Sequence, residues 1–174
     1  DFAACMLSKK AGGLPVKICY NREEEFLASR RKHGMIYRIK SGVKKDGTIV
    51  ALGFTSYGSA GIATGAGTSG PAGALYQNNP NFATAEYDVF TNAGPAAPLR
   101  APGHPQGAFA LESAIDELAD ALAMDPLLLR KKNESSPVRV AQYDVGAKAI
   151  GWERRNTKKG PTAVTAGKVR GIGM

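Results

Sequence analysis

The sequence predicts an α+β fold that combines helices with short antiparallel strands. Three patterns support this prediction: two segments of alternating polarity joined by a tight-turn signal, a long apolar stripe at helical spacing, and capping residues ahead of further helices. The chain has 174 residues, of which 43% are hydrophobic, and can therefore bury a core of ordinary single-domain size.

The start of the chain predicts two helices separated by a strand. Residues 2–10 carry apolar side chains at helical spacing, and a glycine pair follows them as a terminator. Residues 16–20 are rich in β-forming side chains. Asn21 and Glu24 have the spacing of a capping box, which predicts a short helix that ends near Ala28.

A two-stranded hairpin is predicted between residues 35 and 57. Its first strand alternates apolar and basic side chains, and Asp46 and Gly47 supply the turn signal before the second strand. Residues 84–91 alternate less regularly and predict a further strand, which leads into a loop at residues 98–107.

Residues 108–124 predict a long amphipathic helix, and residues 126–133 predict a second helix. Asp125 suits the N-cap of the second helix, and Pro126 suits its first position. The apolar residues expected to face the core are Leu111, Ile115, Leu118 and Leu122 in the first helix and Leu127, Leu128 and Leu129 in the second. The carboxylates largely opposite the stripe are interpreted as solvated charges: Glu112, Asp116 and Asp120.

The composition changes after residue 134, where Ser, Pro, Lys and Gly accumulate. Residues 1–134 are therefore expected to form one unit, and residues 135–174 a basic helix followed by a linker. Within the second part, residues 141–152 predict the helix and residues 156–168 the linker.

The chain is basic, with 23 Lys and Arg against 15 Asp and Glu and a net charge of +8. The basic residues form separate short clusters rather than one helix face with interleaved aromatic side chains. This distribution favours a solvated surface, or a face covered by an acidic neighbour, over a nucleic-acid groove. We expect no membrane span, because no apolar run approaches about 18–20 residues, and no export signal in this chain.

Metal and nucleotide sites find little support in the sequence. Cys5 and Cys19 are too few for an iron–sulfur or structural zinc site, and their apolar surroundings predict two buried thiols. The two histidines, His33 and His104, lack metal-ligand spacing. Residues 65–70 match G-x-G-x-x-G, but no helical pattern follows closely, so we interpret them as a flexible or ligand-lining loop.

The loop before the long helix reads LRAPGHPQG from residue 99 to residue 107. Its two prolines restrict the backbone, and its two glycines permit conformations that are closed to other residues. Arg100 and Gln106 therefore project from a bend with little freedom, which is typical of polar groups held against a ligand. A surface turn with incidental charge is the alternative that composition alone supports.

Residues 92–133 resemble the molybdenum-cofactor-binding subunit of the xanthine dehydrogenase and aldehyde oxidase family. The shared pattern is Thr-Asn, a proline-bearing loop, an arginine loop ending in Pro-Gln, a helix with Glu and then Asp-Glu-Leu-Ala, and a Met-Asp-Pro helix ending in Arg-x-x-Asn. The flanking segments that also match are residues 14–17, 21–26, 45–49, 150–152 and 170–174. The resemblance implies that the chain is an internal fragment, a partial domain of a larger molybdopterin-binding subunit.

The resemblance also assigns site residues. The cofactor-binding positions it implies are Arg100, Ala101, Gly103 and Gln106. The substrate-facing positions are Leu99, Pro102 and His104. It implies no catalytic residue and no metal ligand in this chain, because the family's glycine-rich segment and general-base glutamate are not among its motifs. The chain alone is therefore expected to be inactive.

Two departures from the family pattern concern the substrate. The chain reads Leu-Arg-Ala-Pro-Gly-His where the xanthine-oxidising members have Phe-Arg-Gly-Phe-Gly-Gly. Gly73 stands where the purine-oxidising members carry an arginine. The chain is thus more similar to the bacterial aldehyde-oxidising branch than to purine oxidisers.

The function that the resemblance implies is oxidative hydroxylation of an aldehyde or N-heterocycle, with water as the oxygen source. It implies a molybdenum cofactor, in its cytosine dinucleotide form, and electron transfer to iron–sulfur clusters and FAD on an iron–sulfur subunit and a FAD subunit. The expected compartment is the cytoplasm, or the periplasm through a partner subunit's signal. The alternative is a non-catalytic basic α+β binding or assembly module, including a truncated family member.

Overall fold

The structure is a computed structural model, and it describes residues 2–76, 79–98, 100–155, 163–164, 167–169 and 171–173. It confirms the predicted α+β class. The helices are α1 (Phe2–Lys10), α2 (Arg22–Ala28), α3 (Gly70–Ala74), α4 (His104–Ala121), α5 (Pro126–Asn133) and α6 (Pro137–Ile150), followed by a 3₁₀ turn at Trp152–Arg154. The strands are β1 (Met35–Val43), β2 (Ile49–Gly61), β3 (Asn81–Phe90), β4 (Ala163–Val164) and β5 (Lys168–Val169).

The main sheet has the strand order β1-β2-β3. The predicted hairpin is confirmed, since β1 and β2 pair antiparallel around the turn at Asp46 and Gly47. The expectation of antiparallel strands alone is wrong, because β3 pairs with β2 in parallel. The connection through α3 is long enough for the crossover that a parallel pair requires. Strand β3 begins at Asn81, three residues before the predicted strand.

The core lies between the sheet and α4. Leu52 and Phe54 of β2 form one buried cluster with Leu111 and Ile115 of α4 and Leu129 of α5, and all five are at most 1% exposed. The predicted stripe of α4 is thereby confirmed, with its last two leucines packed at the edge of the cluster.

The expectation that three consecutive leucines of α5 pack inward is wrong for Leu128. This side chain is 57% exposed, whereas Leu127 and Leu129 are buried. Successive residues of an α-helix point about 100° apart, so three neighbours cannot share one face.

The N-terminal segment contributes nothing to this core. Neither α1 nor α2 has a buried residue, and residues 14–20 belong to no helix or strand. The predictions of a strand at 16–20 and of buried thiols are therefore wrong, and Cys5 and Cys19 are exposed. The spacing of apolar residues correctly predicted the helix α1, but burial of its apolar side also requires a surface on which the helix can pack.

Several helix ends follow their predicted caps. The Asn21 side chain accepts the N–H of Glu24 at 2.9 Å, and the Glu24 carboxylate accepts the N–H of Asn21 at 2.8 Å. Asp125 likewise accepts the N–H of Leu127 at 2.8 Å. The capping box and the Asp125 cap are thus confirmed, each supplying an acceptor to an N–H that has no partner within its helix.

Two helices begin earlier than predicted. The helix expected at residue 108 starts at His104, and the helix expected at residue 141 starts at Pro137. Both contain a proline in the first turn, where its missing N–H costs nothing and its fixed φ suits the helix. The predicted linker falls largely outside the described residues, and within it residues 163–164 pair antiparallel with residues 168–169.

An ionic cluster, here called the Arg130 cluster, joins α4, α5 and the segment that follows α3. It comprises Arg130, Glu112, Asp116 and Tyr76. The Arg130 guanidinium donates to the Glu112 carboxylate at 2.7 Å and to the Asp116 carboxylate at 2.6 Å, and the Tyr76 hydroxyl donates to Glu112 at 3.0 Å. Arg130 is 5% exposed. The interpretation as a solvated charge is therefore wrong for Glu112, which the buried Arg130 and the Tyr76 hydroxyl both contact. Asp116 pairs with Arg130 while its side chain remains 60% exposed.

Asn133 connects α5 to the hairpin. Its side-chain oxygen accepts the N–H of Ile49 at 2.9 Å, and its amide nitrogen donates to the carbonyls of Gly47 and Leu129, each at 2.8 Å. This buried amide therefore satisfies backbone groups where the tight turn enters β2. No described helix is both long and apolar enough to span a bilayer.

Replacing Arg130 by Met is expected to lower the free energy of unfolding by about 3 kcal/mol, since it removes the partner of two carboxylates at a buried site. The value lies at the low end for broken buried pairs because Asp116 is 60% exposed in its side chain and can rehydrate. Denaturant unfolding measures the change. Arg154→Met is the control, since Arg154 is exposed at the surface and its loss should cost at most about 0.5 kcal/mol. Equal losses in the two variants would contradict this account.

The Tyr76 phenol predicts an alkaline dependence of stability. Burial first, and then the negative charge of Glu112, raise the pKa of Tyr76 above its ordinary value. The contribution of this protonated phenol to the free energy of unfolding is complete below about pH 10. It is lost as the pH rises further, because above that pH the phenol ionises in the unfolded state and stays protonated in the folded state. The stability advantage of the wild type over Tyr76→Phe should shrink by about 1.4 kcal/mol between pH 9 and pH 11. Denaturant unfolding at several pH values checks this, and parallel pH profiles for the two proteins would refute it.

Candidate cofactor-binding site

The centre of the candidate site is the segment Gly65–Ser69 between β2 and α3, here called the glycine loop. The carboxylate of Asp88 accepts the N–H groups of Gly65 at 2.9 Å and Ala66 at 2.8 Å. Glu86 accepts the N–H of Ser69. Both carboxylates lie on β3, so the neighbouring strand holds the loop through its backbone.

These contacts bear on the G-x-G-x-x-G match. A helix, α3, does begin at Gly70, contrary to the sequence expectation, but it has only five residues. Three N–H groups of the loop already donate to carboxylates, and such groups would have to face a phosphate in a dinucleotide site. The interpretation of a ligand-lining loop is therefore preferable to a nucleotide fingerprint.

The N-terminus of α4 rests directly on the glycine loop. Gly103 has φ +76°, and a Cβ atom at this position would lie 2.8 Å from the carbonyl oxygen of Gly67. A Cβ atom at Gly107 would overlap the carbonyl oxygen of Thr68 and lie 3.1 Å from the Pro71 ring. Two glycines one helical turn apart thus permit a backbone-to-backbone contact that any larger residue would open.

The bend ahead of α4 is exposed at its tip and buried at its base. Arg100, Ala101 and Pro102 are exposed, and Gly103 is buried. The N–H of His104 donates to the carbonyl of Ala101 at 3.1 Å, which closes the bend. Ala101 has φ +57°, a left-handed conformation that non-glycine residues adopt at some cost.

The predicted site residues separate into three groups. Arg100 and Ala101 lie on the exposed tip, and the Arg100 guanidinium has no hydrogen bond or ion pair among the described residues. Gly103 and Gln106 lie at the base, beside the glycine loop and the sheet. His104 is exposed near α3, with its ring close to Gly70. Leu99, predicted to face the substrate, lies outside the described residues. Pro102, predicted to face the substrate as well, is exposed.

Two polar features of the α4 N-terminus lack partners. The helix has no side-chain cap and no acidic residue in its first turn, so the partial positive charge of its N–H groups is not offset locally. The amide oxygen and nitrogen of Gln106 are both buried, and neither has a hydrogen-bond partner in the described part of the chain. An unpaired buried amide group costs about 1–3 kcal/mol, so a ligand that pairs it would be favoured.

A groove of about 1110 Å³ runs beside Gln106, between β1 and the first turns of α4. Its walls include Tyr37 and Ile39 of β1 and Phe109 of α4, and Phe109 is 77% exposed. Burial is the main cause that raises the pKa of Tyr37 above its ordinary value. The groove therefore presents an apolar wall next to the polar base of the bend.

The arrangement suits recognition of a polar, anionic group rather than metal ligation by this chain. Among the described residues, no three His, Cys, Asp or Glu side chains lie together as metal ligands. The donors near the bend are the guanidinium of Arg100, the Gln106 amide and the N-terminus of α4. Such donors bind phosphate and carbonyl oxygens well.

No sequence pattern identified the residues that hold the base of the bend in place. Glu86 and Asp88 contact the glycine loop, and Thr68 lies buried beneath Gly103. The available signal was weak: two acidic residues alternate along β3, which is equally typical of a strand with one solvated face.

Comparisons with known proteins show the family of the chain. Residues 1–134 match the family described as the molybdopterin cofactor-binding domain. The xanthine dehydrogenase molybdenum-binding subunit of Escherichia coli O157:H7 is 34% identical over 137 residues, covering 76% of this chain and 18% of that protein. The aldehyde oxidoreductase of Megalodesulfovibrio gigas is 32% identical over 144 residues, covering 78% of this chain and 15% of that protein.

A solved structure shows a similar fold. Quinoline 2-oxidoreductase from Pseudomonas putida 86 superposes with a TM-score of 0.69 and 21% identity, over 87% of this chain and 22% of that chain. The chain spans about a fifth of the length of the curated relatives it matches. The match over residues 1–134, together with these relatives, shows that the chain belongs to the molybdopterin cofactor-binding domain family of xanthine dehydrogenase and aldehyde oxidoreductase molybdenum-binding subunits.

Proposed function

We propose that the protein forms part of the cofactor site of a molybdenum hydroxylase, which oxidises an aldehyde or an N-heterocycle with water as the oxygen source. The observation that carries this proposal is the α4 N-terminus, where an uncapped helix start, an unpaired buried amide and an unpaired guanidinium lie on one bend. Family membership supports the cofactor class, and the unpaired donors of the bend support the position that we propose for the cofactor.

The residues at the bend fit a molybdopterin. A pterin offers ring nitrogens and a carbonyl to an amide such as Gln106, which can both donate and accept. Its phosphate would find the positive end of α4 and the guanidinium of Arg100. Ala101 and Gly103 would contribute backbone, since neither carries a side chain large enough to keep a ligand away. Gln106 is therefore proposed to make the most specific contact with the pterin ring, and Arg100 to make the ionic contact with the phosphate.

When bound, the molybdenum cofactor supplies the two-electron redox chemistry of hydroxylation. The residues of this chain bind and orient that group, and the tight contact between α4 and the glycine loop keeps the donors in fixed positions. We assign none of the proton-transfer chemistry to the described residues. The chain by itself is therefore proposed to be inactive, with the general base supplied from elsewhere in the assembled protein.

The proposed substrate class is supported by one residue at the tip of the bend and by one residue of α3. Pro102 is small and apolar, and Gly73 provides no cation that could pair with an electron-rich purine carbonyl. The xanthine dehydrogenase and aldehyde oxidoreductase relatives are similarly related to this chain, at 34% and 32% identity. Leu99, Pro102 and His104 are proposed to face an aldehyde or a heterocycle, with the aldehyde favoured.

The remaining assignments concern the assembly. We propose the cytosine dinucleotide form of the cofactor, with iron–sulfur clusters and FAD held on partner subunits. Residues 1–134 are proposed as the cofactor-binding unit, and residues 135–174 as a basic helix with a linker. The compartment is proposed to be the cytoplasm, or the periplasm where a partner subunit carries the signal. The basic clusters also fit a face covered by an acidic partner.

Replacing Arg100 by Gln is expected to lower the molybdenum and pterin content of the purified protein about tenfold, since it removes a charge-assisted contact. Expression in a host that makes the cofactor, followed by metal analysis and pterin fluorescence, measures the content. Arg22→Gln is the matched control, because Arg22 is an exposed arginine on α2, outside the proposed site. Full cofactor content in Arg100→Gln would argue against the assignment, and a wild type without molybdenum would favour the non-catalytic module.

A further inference from the structure

Two carboxylates of β3 hold the glycine loop by its backbone. Asp88 binds two consecutive N–H groups with two different oxygens, at 2.8 and 2.9 Å. Glu86 lies against the other end of the loop, where a Cβ atom on Gly67 would meet its Oε2 atom at 2.5 Å. Both carboxylates therefore hold the backbone of the loop, through the N–H groups of Gly65, Ala66 and Ser69.

The same loop is enclosed on its other sides. The carbonyl of Ala66 lies 3.2 Å from the Nε2 atom of the buried His33 ring, and a Cβ atom at Gly58 of β2 would overlap Ala66. The loop thus lies between β2, β3 and His33. The remaining side carries the N-terminus of α4, in contact with Gly67 and Thr68.

This geometry connects β3 to the bend that carries Arg100. The chain of contacts has two steps: a carboxylate of β3 binds the glycine loop, and the loop carbonyls set the distance at which Gly103 and Gly107 can approach. A shift of the loop would move the start of α4, because the contact between them is backbone against backbone and has no flexible side chain to absorb the change.

We propose that Asp88 and Glu86 are positioning residues for the cofactor bend, acting through the glycine loop. The inference rests on the proposed function, since it assumes that the bend binds a molybdopterin. Neither carboxylate touches the bend itself, and neither is given a chemical role. Asp88 has the larger share, because it holds two N–H groups.

The carboxylate is specific for this task. An amide of the same shape offers one acceptor oxygen in place of two, so Asp88→Asn keeps the volume and loses one of the two backbone contacts. Asp88→Glu retains both acceptor oxygens on a longer stem. If the role is to accept two N–H groups, the glutamate should restore what the asparagine loses.

The test uses the full-length protein, purified both from a host that makes the pterin and from a host that does not. Hydrogen exchange is measured on peptides that cover residues 65–69 and residues 100–107. In Asp88→Asn both peptides are expected to exchange about tenfold faster than in the wild type, in the presence and absence of cofactor. Molybdenum and pterin content should fall several-fold, and Asp88→Glu should recover most of it. Glu23→Gln, an exposed carboxylate on α2, is the matched control.

Each result decides one question. Faster exchange confined to residues 65–69, with residues 100–107 and the pterin content unchanged, overturns the positioning role. Faster exchange in both peptides of a protein whose wild type holds no pterin supports the mechanical connection and overturns the proposed function instead. A uniform acceleration over all peptides shows general destabilisation and overturns the inference. If Asp88→Asn does not fold, Glu86→Met removes the only acceptor that Glu86 offers to the Ser69 N–H and should give the same pattern at about threefold.

Discussion

The structure depends on one close approach, that of the α4 N-terminus to the glycine loop. Glycine is the only residue type that fits at positions 103 and 107, because a Cβ atom there would push α4 away from Gly67 and Thr68. Because a helix is rigid, a displacement at its first turn would propagate along its length or break its contact with the sheet. The base of the bend, at Gly103, is therefore held by the same packing that holds α4.

Two further contacts hold the rest of α4. Leu111 and Ile115 pack against β2, and the Arg130 cluster connects the polar side of the helix to α5 and to Tyr76, which follows α3. These contacts lie one to three turns after Gly107, so the helix is held at its start, at its apolar face and at its polar face. A ligand that binds the bend would meet a surface whose orientation has already been set by folding.

Local sequence signals predicted the local structure. They failed where contacts between residues far apart in the sequence determine the structure. The caps at Asn21 and Asp125, the Asp46-Gly47 turn and the α4 stripe each involve residues within a few positions of one another. The parallel pairing of β3 and the ion pairs of Arg130 join residues that are far apart, so no spacing could reveal them. The exposure of Cys5 was missed for the same reason, since burial requires a partner surface. Arg100 and Gln106 came from a family motif, while Asp88 had no motif to reveal it.

Our central proposal is that a bend whose base is held by backbone contacts faces a molybdopterin. The most direct measurement is an experimental structure of the protein loaded with its cofactor, in which the distances from the pterin and phosphate atoms to the bend are read. The account predicts hydrogen bonds of about 3 Å from the cofactor to the Gln106 amide and to the Arg100 guanidinium or the first N–H groups of α4. A cofactor bound elsewhere, with Gln106 still unpaired and Arg100 in solvent, would contradict it.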